Sequence, residues 1–138
     1  MPSELHVSAV HHGDMRISVT AREHVLSMDY PISSGSDITP LEALLASLAA
    51  CSGNSLALLL RKSKQPLDGV EVKLHGHRRD EHPTIITDID MEFIVHGLDV
   101  EPSAVEKAIK VAEEQICPVW CMLRGGTCIT ASYKIVAE

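Results

Sequence analysis

Cys51 and Cys117 are the residues whose chemistry and placement combine most directly. Cys51 sits near the middle of the longest apolar stretch, Leu41 to Leu60. Cys117 follows 66 residues later, at the head of Cys117-Pro118-Val119-Trp120. A thiolate can attack the O–O bond of a peroxide, become a sulfenic acid, and condense with a second thiol. That chemistry needs a reactive cysteine, a resolving cysteine within disulfide reach, and a cation to hold the thiolate and the leaving oxygen. Arg16 and Arg22, on the N-terminal strands, are the candidates for the cation. Each taken singly also reads as a solvent-facing arginine.

The local sequence argues differently for the two thiols. A lone cysteine within an apolar helix is ordinarily a packing residue. The small neighbours Ala49, Ala50 and Gly53 would let another element or a substrate approach its sulfur. Pro118 suits the first position of a helix, which makes Cys117 the N-cap, where free N–H groups and the helix dipole lower a thiol pKa. The alternative is a cysteine that fills a corner between helices. Glu42 could pair with an arginine, but it also completes a capping box with Thr39. Nine residues along a helix is ~13 Å and nearly the opposite face, so Glu42 would more easily serve a Cys51 site built with a second chain. Cys117 and Cys121 are four apart, a spacing open to structural zinc with Cys128 or a histidine. No C-x-x-C is present and no histidine is locally paired with them, so Cys121 and Cys128 read as packing residues. His75 and His77 share one strand face with Glu71 and Lys73, which reads as solvated.

The elements that must position these residues follow from patterning. Leu5-Val7-Ala9 and Met15-Ile17-Val19 alternate with polar residues around a turn at His11-His12-Gly13-Asp14, and Val25 to Tyr30 predicts a third strand. Pro31 to Asp37 reads as a loop. Thr39-Pro40-Leu41-Glu42 announces a helix that runs to about Lys64, before Pro66. Asp68-Gly69 is a turn, followed by a strand through Val70, Val72 and Leu74. A hairpin loop at Asp80 to Pro83 leads into a strand that places Ile85, Thr87, Ile89, Met91, Phe93 and Val95 on one face. This predicts a half-buried antiparallel pair. Pro102 opens a helix with Val105, Ala108, Ile109, Ala112 and Ile116 on one face. Cys117-Pro118 breaks it and restarts a short helix that ends at Gly125-Gly126, and Thr127 to Val136 closes as a strand. The order is βββ-α-ββ-α-(α)-β, an α+β pattern in a single domain over residues 1–138.

Composition sets further bounds. The net charge of −7 argues against a nucleic-acid binder. Half of the 12 Lys and Arg residues lie between Arg61 and Arg79, and these read as a solvated helix end and strand face rather than a basic patch. Leu41 to Leu60 is long enough to span a bilayer. Glu42, Ser47, Ser52, Asn54 and Ser55 put polar groups at several helical angles, so it reads as buried in protein and no membrane association is expected. Only 3% of residues are aromatic, so the core must be aliphatic and a partner chain could complete it. Four cysteines confined to two regions fit a cytoplasmic protein better than a secreted disulfide scaffold, and Met1-Pro2-Ser3-Glu4 does not read as a signal peptide.

Thr39-Pro40-Leu41-Glu42-Ala43-Leu44-Leu45-Ala46-Ser47-Leu48-Ala49-Ala50-Cys51, then Cys117-Pro118-Val119, then Thr127 to Tyr133, resemble the OsmC/Ohr family of osmotically inducible and organic hydroperoxide resistance proteins. The resemblance covers nearly the whole chain, including the element order. It implies an OsmC-like α+β fold, with antiparallel sheets around a long central helix, in an intertwined homodimer with active sites at the subunit interface. It implies thiol-dependent reduction of organic hydroperoxides, with Cys51 peroxidatic and Cys117 resolving. It implies no metal or flavin cofactor, and recycling by dithiols, including lipoyl groups on proteins. The sequence departs from the family at two places. The catalytic glutamate directly after the proline is Leu41 here, with Glu42 one residue later. The arginine of the first hairpin has Arg16 as its nearest match. The alternative activity is binding of a small molecule or lipid without efficient peroxidase turnover.

Overall fold

The computed structural model describes residues 3–30 and 37–137. The chain groups into two compact units, one up to Leu44 and one from Leu45 onward. The first contains strands β1 (Ser8–His11), β2 (Ile17–Ala21) and β3 (His24–Met28) in an antiparallel sheet of order β1-β2-β3. Leu5 and Val7 precede β1 rather than belonging to it, and β3 ends at Met28, short of the expected Tyr30. Gly13 takes the turn between β1 and β2 at φ +91, a conformation side chains with a Cβ rarely adopt. Asp14 Oδ1 accepts the Arg16 backbone N–H there at 2.8 Å. Arg22 lies in the two-residue turn between β2 and β3, at φ 57, not on a strand as expected. Most of the loop expected from Pro31 to Asp37 lies outside the described residues.

Helix α1 (Pro40–Lys62) begins where the sequence announces it. The capping box is complete. Glu42 Oε1 accepts from the Thr39 N–H at 2.9 Å and the Thr39 hydroxyl at 3.0 Å, while Thr39 Oγ1 accepts the Glu42 N–H at 3.3 Å. At the other end Lys64 adopts a left-handed conformation at φ 61. The Gln65 N–H then reaches the Leu60 carbonyl and the Lys64 N–H the Arg61 carbonyl, at 2.9 and 3.0 Å. This double closure satisfies the last carbonyls of the helix, and Pro66 follows it.

From Leu45 onward, α1 packs on a sheet of β4 (Gly69–Arg78), β5 (Ile86–His96) and β6 (Cys128–Val136), in order β4-β5-β6. The expectation of antiparallel sheets holds for β4–β5; β5–β6 is parallel. The connection between them is a crossover through α2 (Pro102–Val111), a π-helical turn (Ala112–Ile116) and α3 (Pro118–Leu123), which returns the chain to the end of the sheet where β5 starts. Leu48, Leu56 and Leu60 of α1 are fully buried, as are Phe93, Val95, Val105 and Ala112; Ile89, Met91 and Trp120 are nearly so. The mostly aliphatic core has one aromatic stack, Phe93 on Trp120, with centroids 6.1 Å apart. Burying each such large side chain stabilises the fold by about 1.5–3 kcal/mol.

Three isoleucines depart from their expected faces for backbone reasons. The β4–β5 register shifts between His77 and Arg78: His77 opposes Asp88, but Arg78 opposes Ile86. The extra residue, Thr87, is a bulge that reverses the alternation, so Ile86 points inward and Ile85 is exposed. Ile116 is 41% exposed because the π-turn widens the backbone after Ala112 and rotates the following residues off the apolar face.

Candidate functional site

Cys51 and Cys117 come together in the second unit. Cys51 sits on α1 at the border of its buried face, with Ser52 and Ser55 beside it facing inward. Both serines would be costly in an apolar core without partners. Ser55 donates to the Cys51 carbonyl at 2.8 Å, while Ser52 donates to the Ala49 carbonyl at 3.3 Å and approaches Met91 Sδ at 3.7 Å. These bonds let polar side chains pack under the helix around Cys51. Cys51 is a free thiol with partial solvent exposure; Cys117 is a free thiol with none.

Cys117 is the N-cap of α3, as the Cys-Pro step predicts, in an extended conformation (φ −79, ψ 105). Its pKa, however, is pushed up to about 11 rather than lowered. Burial is the largest cause. The N–H groups of Trp120 and Val119 do favour the thiolate, but the Cys51 side chain, through hydrogen bonding and charge, opposes them. The helix end therefore acts as expected and is outweighed by desolvation. At neutral pH Cys117 holds its proton, in direct interaction with the more accessible Cys51.

The small neighbours of Cys51 have a different use from the expected one. Ala49, Ala50 and Gly53 line a groove of about 560 Å³ between α1 and β4, with Asn54, Arg61 and Val72; Cys51 is not among its lining residues. A Cβ on Gly53 would lie 3.0 Å from Val72 Cγ2, so close approach of β4 is one reason for glycine there. The helix is not enclosed as expected. It is buried along one side, and Ala50, Asn54 and Leu58 are exposed on the other.

The charged residues expected to activate Cys51 have local roles. Arg16 is exposed, its backbone bonded to Asp14 and to His12. Arg22 occupies the β2–β3 turn. The Glu42 carboxylate caps α1. Cys121 and Cys128 are not gathered with Cys117 into a metal site: among the described residues no group of three or more His, Cys, Asp or Glu could hold a metal ion. Cys121 instead donates its thiol to the Glu113 carbonyl at 3.1 Å, a role its spacing alone did not reveal. Trp120, which nothing in the sequence marks as a site residue, contributes an N–H to the Cys117 environment and a ring to the core stack with Phe93.

The model of the OsmC-like protein family matches residues 33–132. The Escherichia coli K12 protein YhfA is 37% identical over 99 residues, which cover 72% of this chain and 74% of that protein. Among solved structures, a hypothetical protein from Aquifex aeolicus VF5 superposes with a TM-score of 0.89 at 25% identity, over 99% of each chain. The organic hydroperoxide resistance protein OhrB of Bacillus subtilis superposes with a TM-score of 0.67 at 20% identity, over 95% of this chain and 98% of that one. At 20% identity, the likeness to OhrB is one of fold.

Proposed function

This chain belongs to the OsmC-like protein family, and from that premise we propose that it is a two-cysteine peroxidase acting on organic hydroperoxides. The observation that carries the reading is the asymmetric thiol pair: Cys51 partly exposed, Cys117 buried and protonated, each within the other's influence. Cys51, as thiolate, attacks the terminal oxygen of ROOH. The O–O bond breaks, the alkoxide takes a proton to leave as ROH, and Cys51 becomes a sulfenic acid. Cys117 then attacks that sulfur. The S–S bond forms, the S–O bond breaks, and the Cys117 proton leaves with the hydroxide as water. A dithiol, such as a protein-bound lipoyl group, reduces the disulfide and is itself oxidised to a disulfide.

The first step calls for a cation near the thiolate. Arg16, the nearest match to the family's hairpin arginine, is our candidate, with Glu42, one residue past the family's glutamate position, as its carboxylate partner, and Arg16→Gln should then slow Cys51 oxidation. We place the protein in the cytoplasm as a homodimer, with a second copy covering the exposed side of α1.

The deciding experiment mixes reduced protein with tert-butyl hydroperoxide and follows peroxide loss and the Cys51–Cys117 disulfide by mass spectrometry. Cys51→Ser should abolish turnover, and Cys117→Ser should stop after one equivalent with Cys51 as sulfenic acid. Peroxide loss in Cys51→Ser as fast as in the parent would refute the reading. A second reading, binding of a small apolar molecule or lipid, is favoured by the α1–β4 groove, whose 560 Å³ falls within the usual range of ligand pockets. Saturable binding of a fatty acid that persists in Cys51→Ser and is lost in Ala50→Trp would support it.

A further inference from the structure

Cys121 has no part in the two-cysteine reaction, yet it lies at a defect in the segment that presents Cys117. The helical backbone after Val111 widens into a π-turn, closed by the Cys117 N–H on the Ala112 carbonyl at 2.8 Å. In α-helical register that N–H would serve the Glu113 carbonyl. In π register Glu113 would be served from position 118, which is proline and has no N–H. The Glu113 carbonyl thus has neither of these main-chain donors. The Cys121 thiol donates to it instead, at 3.1 Å, from one turn inside α3. The Cys121 N–H bonds to the Cys117 carbonyl at 3.0 Å, so Cys121 ties the first turn of α3 both to Cys117 and to the π-turn before it.

We propose that Cys121 is a positioning residue for the resolving thiol: its S–H···O bond to Glu113 stabilises the π-turn, and the π-turn aims Cys117 at Cys51. The inference rests on the reading of Cys51 and Cys117 as a disulfide-forming pair. Without the thiol donor, the Glu113 carbonyl recovers a main-chain partner by drawing the Cys117 N–H back to α register. That removes the extra residue from the turn and rotates Cys117 and the start of α3 by about 100°. The step affected is the second, in which the Cys117 sulfur displaces hydroxide from the Cys51 sulfenic acid and water leaves.

The test compares full-length wild type, Cys121→Ala and Cys121→Ser. tert-Butyl hydroperoxide is mixed with each reduced protein. Sulfenic acid and disulfide are followed by mass spectrometry, with the fluorescence of Trp120, the only tryptophan, as a time base. Cys121→Ala should form the sulfenic acid at the wild-type rate and the disulfide roughly 2- to 10-fold more slowly, the factor matching one hydrogen bond of ordinary net strength. Cys121→Ser, which keeps a donor, should restore the rate. In Cys121→Ala alone the Cys117 N–H should change its acceptor from the Ala112 to the Glu113 carbonyl, seen in NMR as loss of the through-hydrogen-bond coupling to Ala112.

The same ordering is expected when diamide drives the disulfide, which needs no peroxidase activity. Failure with peroxide but the expected order with diamide would overturn the peroxidase reading and leave the inference standing. Equal disulfide rates in all three proteins, with the Cys117 N–H still coupled to the Ala112 carbonyl, would overturn the inference. If Cys121→Ala does not fold, Cys121→Ala/Pro118→Ala carries the test, because residue 118 then offers an N–H to Glu113. Recovery of folding and disulfide formation supports the inference, and a double variant that remains unfolded defeats it.

Discussion

At the scale of single residues, the two thiols differ by burial more than by sequence context. Both lie in apolar surroundings, but only Cys117 is fully enclosed, and enclosure outweighs two helix N–H groups aimed at its sulfur. This has a consequence for stability. The Cys117 pKa is raised from 9.0 to about 11, so above pH 9 the unfolded chain loses this proton while the folded protein keeps it. The stability associated with the protonated thiol is complete below pH 9 and is lost as pH rises towards 11. A shift of that size corresponds to about 3 kcal/mol. Urea unfolding of the reduced protein between pH 8 and 11 should show that loss, and Cys117→Ala should show a flatter profile. Equal slopes would mean that Cys117 titrates alike in both states. The position of Cys117 at a helix start was legible in Cys-Pro; its raised pKa was not, because burial depends on parts of the chain far away in sequence, as its interaction with Cys51 shows.

At the scale of elements, signals between near neighbours were the most readable. The α1 capping box formed from Thr39 and Glu42 as their spacing predicts, since its partners are three residues apart. Thr39→Ala should cost about 1 kcal/mol in chemical denaturation, with the midpoint moved and the slope unchanged. An unchanged midpoint would show that tertiary packing alone holds the start of α1. The departures came where backbone register changes. The Thr87 bulge turned Ile86 inward, and the π-turn moved Ile116 out to solvent. Strict periods of 2 and 3.6 residues cannot register an inserted residue, and neither Thr87 nor the Ala112–Ile116 sequence marks itself as the site of one. Gly97 shows the converse, a local constraint of distant origin. A Cβ there would clash with the Pro66 carbonyl oxygen, a main-chain atom with little freedom to move.

At the scale of the whole molecule, the exposed side of α1 bears on assembly. Ala50, Asn54 and Leu58 are exposed on a helix apolar enough, by length and composition, to cross a membrane. A second copy of the chain on this side, the proposed dimer, would remove that surface from water. Ala50→Glu should therefore convert the dimer to monomer in sedimentation velocity, whereas Lys134→Glu, on exposed β6, should not. An Ala50→Glu protein that sediments as the parent does would place the interface elsewhere. The sequence by itself determined the order of elements, the limits of α1, the capped start of α3 at Cys117 and the family, because those depend on residues within a few positions of one another or on a pattern preserved along the chain. Only the tertiary structure decided that β6 runs parallel to β5, that Cys117 is buried beside Cys51 and holds its proton, and that Cys121 serves the Glu113 carbonyl. Each of these depends on which surfaces meet across the fold, and so on desolvation and hydrogen-bond geometry that no spacing along the chain specifies.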